Sequence, residues 1–370
     1  MKTRLMPLRG VRGAECEVRG VEGAQHARPI GQAASSPFSA SGGAGFTYRQ
    51  VVERLERAGV ESASLDAACL LEAASGIPRW RFVLESQRPI AHGRSDLVAS
   101  MLSRREAREP IAYILGAKEF WSLSLAVSRD VLVPRPETET LVEAVLEKIR
   151  FEFGVSRFEL RKPRVGQSCC QPETRNPKPE TANPKRETRN PKLRIVDLGT
   201  GCGAIALALA TEIPLGRVYA LDRSRAALRI ASRNATALGL AGRVHFLAGD
   251  LFEPLRTTRS GGGFDLIVSN PPYIPSGALA LLPPEIAAYE PLEALDGGPD
   301  GLRFHRRIIE EAPGHLRAGG WLALEVGDGQ LSAAVELLRK SDGFGPAEVK
   351  KDLAGHDRVV LARRRGGTDG

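Results

Sequence analysis

The chain has 370 residues, a net charge of +8 and 42% hydrophobic residues, a composition typical of a globular protein that is long enough for two domains. No apolar run reaches the roughly 18 residues that a transmembrane helix needs, and the basic N-terminus lacks the apolar stretch of a secretory signal. The five cysteines show no CxxC spacing, which predicts neither a metal site nor disulfides and favours a reducing cytoplasm.

The positive charge is concentrated in two segments whose composition predicts disorder. Residues 1–45 contain six Lys and Arg against three Glu, and residues 161–192 contain nine against three. The rest of the chain is close to neutral, which argues against a specific nucleic-acid surface. Residues 1–45 also have too few bulky apolar side chains to offset the entropy of ordering them, so we expect a disordered extension there.

Residues 46–116 are predicted to form a small helical domain. Val51, Leu55 and Ala58 recur at the spacing of one helix face, and Gly76 marks the end of a second helix. Two further helices are predicted around residues 80–85 and 95–105.

A β-hairpin is predicted to form a linker over residues 117–136. Two β-rich runs, 119–127 and 131–133, are separated by residues 128–130, which is the spacing of a hairpin. A helix is predicted after Pro136, because Glu137 and Glu139 would favour its first turn.

Residues 161–192 contain an unusual repeat. A seven-residue unit occurs three times, at 173–179, 180–186 and 187–193. Every unit has proline and lacks large apolar residues apart from the closing Leu193, which excludes a helix or a coiled coil. We expect a disordered insertion within a catalytic domain that spans residues 137–364.

From Leu193 onwards, predicted strands and helices alternate, which is typical of a mostly parallel sheet with helices between its strands. The predicted strands are 194–198, 217–221, 244–247, 264–269 and 321–326. Val349 and residues 359–361 are expected to add a final antiparallel pair.

A glycine-rich turn, Gly199-Thr200-Gly201-Cys202-Gly203, follows the first of these strands. Glycines let a ligand approach the backbone, whose free N–H groups then point at it. The spacing differs from the dinucleotide pattern, and the absence of Gly-Lys-Ser/Thr excludes a phosphate-cradling P-loop. The alternative role of this turn is a tight connection between strand and helix.

Acidic side chains follow the next two strands. Asp222 can accept hydrogen bonds from both hydroxyls of a ribose, and Asp250 can accept one from an adenine amino group while Leu251 packs on the ring. Each acid is equally suited to cap a helix. Because ligands of open α/β sheets bind at the carboxyl ends of the strands, the recurrence of such groups there indicates a site.

The tetrapeptide Asn270-Pro271-Pro272-Tyr273 follows the strand at 264–269. Its two prolines force the backbone out of the sheet. The Asn270 amide oxygen and the Pro271 carbonyl are then adjacent acceptors that suit a substrate –NH2 group. A strand-terminating turn with a packed tyrosine is the alternative.

Together these motifs resemble the class I S-adenosylmethionine-dependent methyltransferases that act on amide or exocyclic nitrogens. The resemblance implies a doubly wound, mostly parallel seven-stranded sheet and S-adenosyl-L-methionine as cofactor. The cofactor-binding residues that it implies are Gly199, Thr200, Gly201, Cys202, Gly203, Asp222, Asp250, Leu251 and Asn270.

The resemblance also implies direct methyl transfer to an amide nitrogen. Asn270 and the Pro271 carbonyl would hold the –NH2 group in line, Tyr273 would pack against its plane, and Pro272 completes the catalytic and substrate-binding motif. No side-chain base is assigned, and His245 and His305 are expected to be structural or exposed.

A second group of motifs narrows the acceptor. The segments 108–116, 119–121, 131–139, 325–327 and 352–360 resemble those of the protein-(glutamine-N5) methyltransferases of peptide chain release factors. That family implies a glutamine in a Gly-Gly-Gln motif as substrate and a helical domain that helps to hold the release factor. We expect a cytoplasmic monomer with no membrane partner and no specific nucleic-acid partner. The alternative function is methylation of adenine N6 in nucleic acid, because the same tetrapeptide occurs in that class.

Overall fold

The computed structural model describes residues 45–87, 89, 94–153, 193–256 and 263–366, all of which fall in one compact unit of the chain. The disorder predicted for residues 1–45 and 161–192 falls outside the described residues, except at Gly45. Within the described ranges, no helix has both the length and the apolar character needed to cross a bilayer.

The first part of the structure is helical, as predicted. Its helices are α1 (Tyr48–Arg57), α2 (Ala63–Ser75), α3 (Arg79–Leu84), α4 (Ser95–Glu106) and α5 (Ile111–Leu115). A capping box starts α1, where the Thr47 hydroxyl accepts from the Gln50 backbone at 3.3 Å and the Gln50 side chain accepts from the Thr47 backbone at 3.0 Å. Gly76, at φ +72°, ends α2. These helices bury an apolar core of their own.

A hairpin follows, but its predicted turn position is wrong. Strands β1 (Ala117–Phe120) and β2 (Leu123–Ala126) pair antiparallel, so the turn is at Trp121 and Ser122 instead of residues 128–130. Both turn residues have positive φ, +52° and +58°, a conformation that usually selects Gly or Asn.

Tertiary contacts explain why the turn forms without a turn-favouring residue. The Trp121 backbone N–H donates to the Glu139 carboxylate at 2.7 Å, and its indole N–H donates to Glu212 at 3.0 Å. The run 131–133 is held in a different way, since the Val131 carbonyl accepts from the Tyr113 hydroxyl at 2.6 Å.

The remaining elements alternate along the chain. They are α6 (Glu139–Phe153), β3 (Arg194–Leu198), α7 (Ala204–Glu212), β4 (Arg217–Asp222), α8 (Arg225–Ala237), β5 (Val244–Ala248), β6 (Phe264–Ser269), α9 (Pro284–Ala287), α10 (Arg303–Glu311), β7 (Leu316–Glu325), α11 (Leu331–Lys340), β8 (Phe344–Lys351) and β9 (Asp357–Arg364). The strands form one seven-stranded sheet in the order β5-β4-β3-β6-β7-β9-β8. Strands β3 to β7 are parallel to one another, and β9 is antiparallel to both β7 and β8.

Helices cover both faces of this sheet. Successive residues of β3 point to opposite faces, so that Ile195 joins a core with α6, α7 and α8, whereas Val196 joins a core with α10 and α11. The predicted doubly wound, mostly parallel seven-stranded fold is confirmed.

The topology also fixes where a ligand can bind. Strand β3 has β4 on one side and β6 on the other, so the strand order reverses at its carboxyl end. A crevice forms at such a reversal because the flanking connections run to opposite faces. The glycine-rich turn after β3 and the Asn270–Tyr273 tetrapeptide after β6 both emerge there.

Candidate active site

A cavity lies at the carboxyl ends of β3, β4 and β6, beside the turn that follows β5. It brings together most of the residues that the sequence predicted for the site. Those that line it are Gly199, Gly201, Asp222, Asp250, Leu251, Asn270, Pro271 and Pro272. Four others, Thr200, Cys202, Gly203 and Tyr273, do not line this cavity.

The glycine-rich turn is open towards a ligand at two of its three glycines. Gly199 and Gly201 have φ values of +73° and +56°, and a Cβ built on either would meet nothing within 4 Å. Gly203 differs, because its Cβ would lie 3.0 Å from Leu207 and 3.2 Å from Ala231. Gly203 therefore permits close packing of α7 and α8, while Gly199 and Gly201 form a cradle that suits a bound cofactor.

Asp222 ties the end of β4 to this turn. Its Oδ2 accepts from the Gly201 backbone at 2.9 Å, and its Oδ1 accepts from the Ser224 backbone at 2.8 Å. Ser224 is the cap of α8, since its hydroxyl accepts from the Ala227 backbone at 3.1 Å. Burial raises the pKa of Asp222, although both backbone donors lower it. The carboxylate thus faces the cavity from a fixed orientation, which fits a role in holding ribose hydroxyls.

The turn after β5 places Asp250 and Leu251 among the residues that line the cavity. The Asp250 carboxylate accepts from the Arg307 guanidinium at 2.7 Å. Leu251 has φ +45°, a conformation that costs energy for a side chain other than glycine. That backbone places Leu251 among the residues that line the cavity, where an aliphatic side chain suits the face of a planar ring.

Asn270 stands where this cavity meets a second one. Asn270 and Pro271 line both cavities, and the second is also lined by Arg135, Tyr273 and Ile286. The Asn270 Nδ2 donates to the Thr138 hydroxyl at 3.1 Å, so its Oδ1 is left to accept. A hydrogen-bond donor, such as an –NH2 group, that enters the second cavity would meet this oxygen at the boundary with the first cavity.

Comparison with known proteins shows the family. The model described as "PrmC N-terminal domain" matches residues 47–116, and that described as "Methyltransferase domain" matches residues 189–339. The release factor glutamine methyltransferase of Moorella thermoacetica is 40% identical over 316 residues, which cover 85% of this chain and 96% of that protein. Those of Rhodospirillum rubrum and Caulobacter vibrioides are 39% and 37% identical over 312 and 310 residues, each covering 84% of this chain and 82% and 92% of the respective proteins.

The chain belongs to the release factor glutamine methyltransferase family. The two domain models together match its N-terminal helices and most of the sheet that follows.

Several residues that shape this candidate site were not found from the sequence. Thr138 lies in a short 3-10 turn, Pro136–Thr138, before α6 and is buried next to Asn270. Gln330 donates from its side-chain amide to the Tyr273 carbonyl at 2.8 Å. These partners are 132 and 57 residues away from their targets in the chain, so the sequence around the tetrapeptide could not have indicated them, although Thr138 lies in the 131–139 motif.

Glycines pack against the tetrapeptide from two other loops. A Cβ on Gly297 would lie 2.8 Å from the Pro272 carbonyl, and one on Gly301 would lie 2.2 Å from the Tyr273 carbonyl. A Cβ on Gly327 would lie 2.9 Å from the Tyr273 ring. The path of the tetrapeptide is thus fixed by close backbone packing that only glycine allows.

Glu325 is a buried ionisable group next to Tyr273. It is 1% exposed at the end of β7, and its carboxylate accepts from the Tyr273 hydroxyl at 3.4 Å. Burial raises the pKa of Glu325 to about 7, opposed by hydrogen bonding from Thr138 and by the charge of Arg358. Burial likewise raises the pKa of Tyr273 to about 12, with a further contribution from Glu325. Tyr273 therefore stays protonated and able to donate.

Of the two histidines expected to be structural or exposed, one is buried and the other is exposed. His305 is buried on α10, with Nε2 2.8 Å from the Glu325 carbonyl, and burial lowers its pKa. His245 is an exposed residue of β5 whose ring lies 5.1 Å from that of Tyr219.

Proposed function

We propose that this protein transfers a methyl group from S-adenosyl-L-methionine to the N5 side-chain amide of the glutamine in the Gly-Gly-Gln motif of peptide chain release factors. The observation that supports this most directly is that Asn270 and Pro271 line both the cavity at the strand ends and the second cavity beside it. A donor in one cavity and an acceptor in the other would meet at these two residues.

The residues present fit S-adenosyl-L-methionine. Gly199 and Gly201 leave an open cradle in the backbone, the half-buried Asp222 carboxylate suits ribose hydroxyls, and Leu251 offers an apolar face for the adenine. When bound, this cofactor supplies a methyl group on a sulfonium, which is activated for transfer to a nucleophile.

The task of the protein is then to position a poor nucleophile. An amide nitrogen has a delocalised lone pair, so it must be held in line and its hydrogens must be stabilised as positive charge develops on them. Asn270 Oδ1 and the Pro271 carbonyl are the two acceptors for the –NH2 group, and the Thr138 hydroxyl holds Asn270 in the orientation that presents Oδ1. Tyr273, fixed by Glu325 and Gln330, forms part of the wall of the acceptor cavity.

The relatives named as release factor glutamine methyltransferases support the same acceptor for this chain. The test is to incubate the protein with a release factor and S-adenosyl-L-methionine labelled in its methyl group. We expect label in the factor and none when its Gly-Gly-Gln glutamine is replaced. Label that persists after this replacement, or that enters DNA or RNA in the absence of the factor, would favour the alternative of adenine methylation or another acceptor.

A further inference from the structure

The second cavity, which is lined by Asn270, Pro271 and Tyr273 and which we call the acceptor cavity, has one wall that is attached to the helical domain. We call residues 284–290, which comprise α9 and the three residues after it, the wall segment. Ile286 of this segment lines the acceptor cavity together with Asn270 and Tyr273. The wall segment begins 11 residues after Tyr273, so it belongs to the same connection that leaves β6.

Two arginines of the helical domain hold one end of the wall segment. Arg108 donates to both oxygens of Glu285, from Nε at 2.6 Å and from Nη2 at 2.8 Å. Arg105 adds a third contact, from Nη1 to Glu285 at 3.1 Å. A bidentate pair between arginine and carboxylate fixes direction as well as distance, so Glu285 has little freedom to move.

These arginines are themselves held by the helical domain. Arg105 is 5% exposed and donates from Nε to the buried Asp66 at 2.7 Å, and from Nη1 to the Glu109 carbonyl at 3.2 Å. Arg108 has φ +67° and donates from Nη1 to the Gly59 carbonyl at 2.8 Å. A strained backbone at a non-glycine residue persists only where the surroundings hold it, which indicates that the position of the Arg108 side chain is specified.

The other end of the wall segment is held as well. The Tyr289 hydroxyl donates to the Ala107 carbonyl at 2.5 Å, again in the helical domain. Glu290 is buried and accepts from Arg135 at 2.5 Å and from the Val133 backbone at 3.3 Å. Ile286 therefore lies between two anchors, and the position of the cavity wall depends on both.

The charge of Glu285 is maintained in this setting. Its burial acts against the charged form, but hydrogen bonds from Arg108 and Arg105 outweigh that effect and hold the pKa of Glu285 below its usual range. The contact is therefore present as an ion pair throughout the neutral pH range.

We propose that Glu285 is a positioning residue, through which Arg105 and Arg108 of the helical domain set the wall of the acceptor cavity. The helical domain then influences the methyl-transfer step through contacts within the same chain, in addition to any contact it makes with a release factor. This inference rests on the proposed function, because the cavity it concerns is the one assigned to the acceptor glutamine.

The test is the rate of methyl transfer in a single turnover, measured at saturating release factor and cofactor. We expect Glu285→Gln to lower this rate constant on the order of tenfold, because small misplacements of a reacting group cost much of the rate. The concentrations of factor and of cofactor that give half-saturation should be nearly unchanged. Arg108→Lys keeps the positive charge but cannot donate to both oxygens of Glu285 at once, so this variant should give an intermediate rate.

The chain offers a matched control in Glu106. Glu106 forms an equally good bidentate pair with Arg54, at 2.7 and 2.6 Å, but both residues of this pair belong to the helical domain. Glu106→Gln should leave the single-turnover rate unchanged. An equal loss in both variants would show a general weakening of the domain and overturn the proposal.

Other results would also overturn it. A rise only in the factor concentration for half-saturation would make Glu285 part of a docking surface, and an unaltered rate would show that the wall needs no such anchor. If Glu285→Gln does not fold, Ile286→Ala tests the wall directly and should lower the same rate constant. Absence of transfer by the unaltered protein would instead reject the proposed function.

Discussion

The side chain of Asn270 is oriented by Thr138. The Asn270 Nδ2 donates to the Thr138 hydroxyl at 3.1 Å across 132 residues of sequence. Because the amide donor is used in this contact, the amide oxygen is presented to the cavities that Asn270 lines. The orientation of the hydrogen-bond acceptor that we propose for the substrate amide is thus determined by a residue outside its own motif.

The first prediction concerns this contact. Thr138→Val removes the hydroxyl and keeps the shape, which leaves the Asn270 amide free to turn. We expect methyl transfer to fall on the order of tenfold or more, while cofactor affinity measured by calorimetry is kept. Thr138→Ser retains the hydroxyl and should restore most of the rate. Equal rates for the Val and Ser variants would show that the hydroxyl does not orient Asn270.

The second prediction concerns Asn270 itself. Asn270→Ala removes the amide oxygen whose proposed hydrogen bond to the substrate –NH2 group would be strongest in the transition state. We expect a loss of roughly 100-fold or more in kcat, with most of the cofactor affinity kept. Cofactor titration and a labelled-methyl assay measure the two effects separately. Parallel loss of both would mean that Asn270 acts chiefly in cofactor binding.

The third prediction concerns the glycine packed against the tetrapeptide. Gly301 has φ +77°, and a Cβ there would lie 2.2 Å from the Tyr273 carbonyl. We expect Gly301→Ala to displace the tetrapeptide, lower the free energy of unfolding by about 2 kcal/mol or more and nearly abolish transfer.

Gly277 provides the control for that substitution. It lies in the same connection after β6, has no positive φ, and a Cβ there would meet nothing within 4 Å. Gly277→Ala should leave both thermal unfolding and activity near those of the unaltered protein. An effect comparable to that of Gly301→Ala would point to the flexibility of the whole connection as the cause.

The fourth prediction concerns the pH dependence of stability. Burial raises the pKa of Glu325 from its ordinary value of 4.5 to about 7. Between these pH values the folded protein keeps a proton on Glu325 that the unfolded chain has released. The contribution of Glu325 to stability is therefore fully present below pH 4.5 and is lost as the pH rises through about 7. This group alone would reduce the free energy of unfolding by up to about 3 kcal/mol across that window.

Glu325→Gln, which is neutral at every pH, should flatten this dependence. Denaturant unfolding at pH 5 and pH 8 measures the difference. The variant should retain part of the slope, because burial also raises the pKa of Asp197 to about 7 and Asp197 titrates in the same direction. An unchanged slope would mean that Glu325 is charged in the folded protein throughout this range.

The sheet and the site motifs could be predicted because their causes are local. The bounds predicted for two strands, 194–198 and 264–269, coincide with β3 and β6, since buried parallel strands are continuous apolar runs that end at glycine or proline. Asp222, Asp250 and Asn270 could be placed near one another because parallel strands bring their carboxyl ends to one edge.

The hairpin shows where local reasoning failed. Trp121 and Ser122 are poor residues for a turn with positive φ, and the sequence offered a better-looking turn at residues 128–130. The observed turn is stabilised by Glu139 and Glu212, which approach Trp121 only after the chain has folded. Turn preferences are weak enough to be outweighed by two hydrogen bonds to carboxylates.

By itself, the sequence determined the fold class, the strand ends that meet at the site, and the motifs on which the family resemblance rests. Only the tertiary structure decided which residues hold those motifs in place. Thr138 orients Asn270 from 132 residues away, and Arg108 holds Glu285 from 177 residues away. The physical reason is that backbone conformation depends mainly on neighbours in the chain, whereas the partner of a buried polar group depends on the path of the whole chain through space.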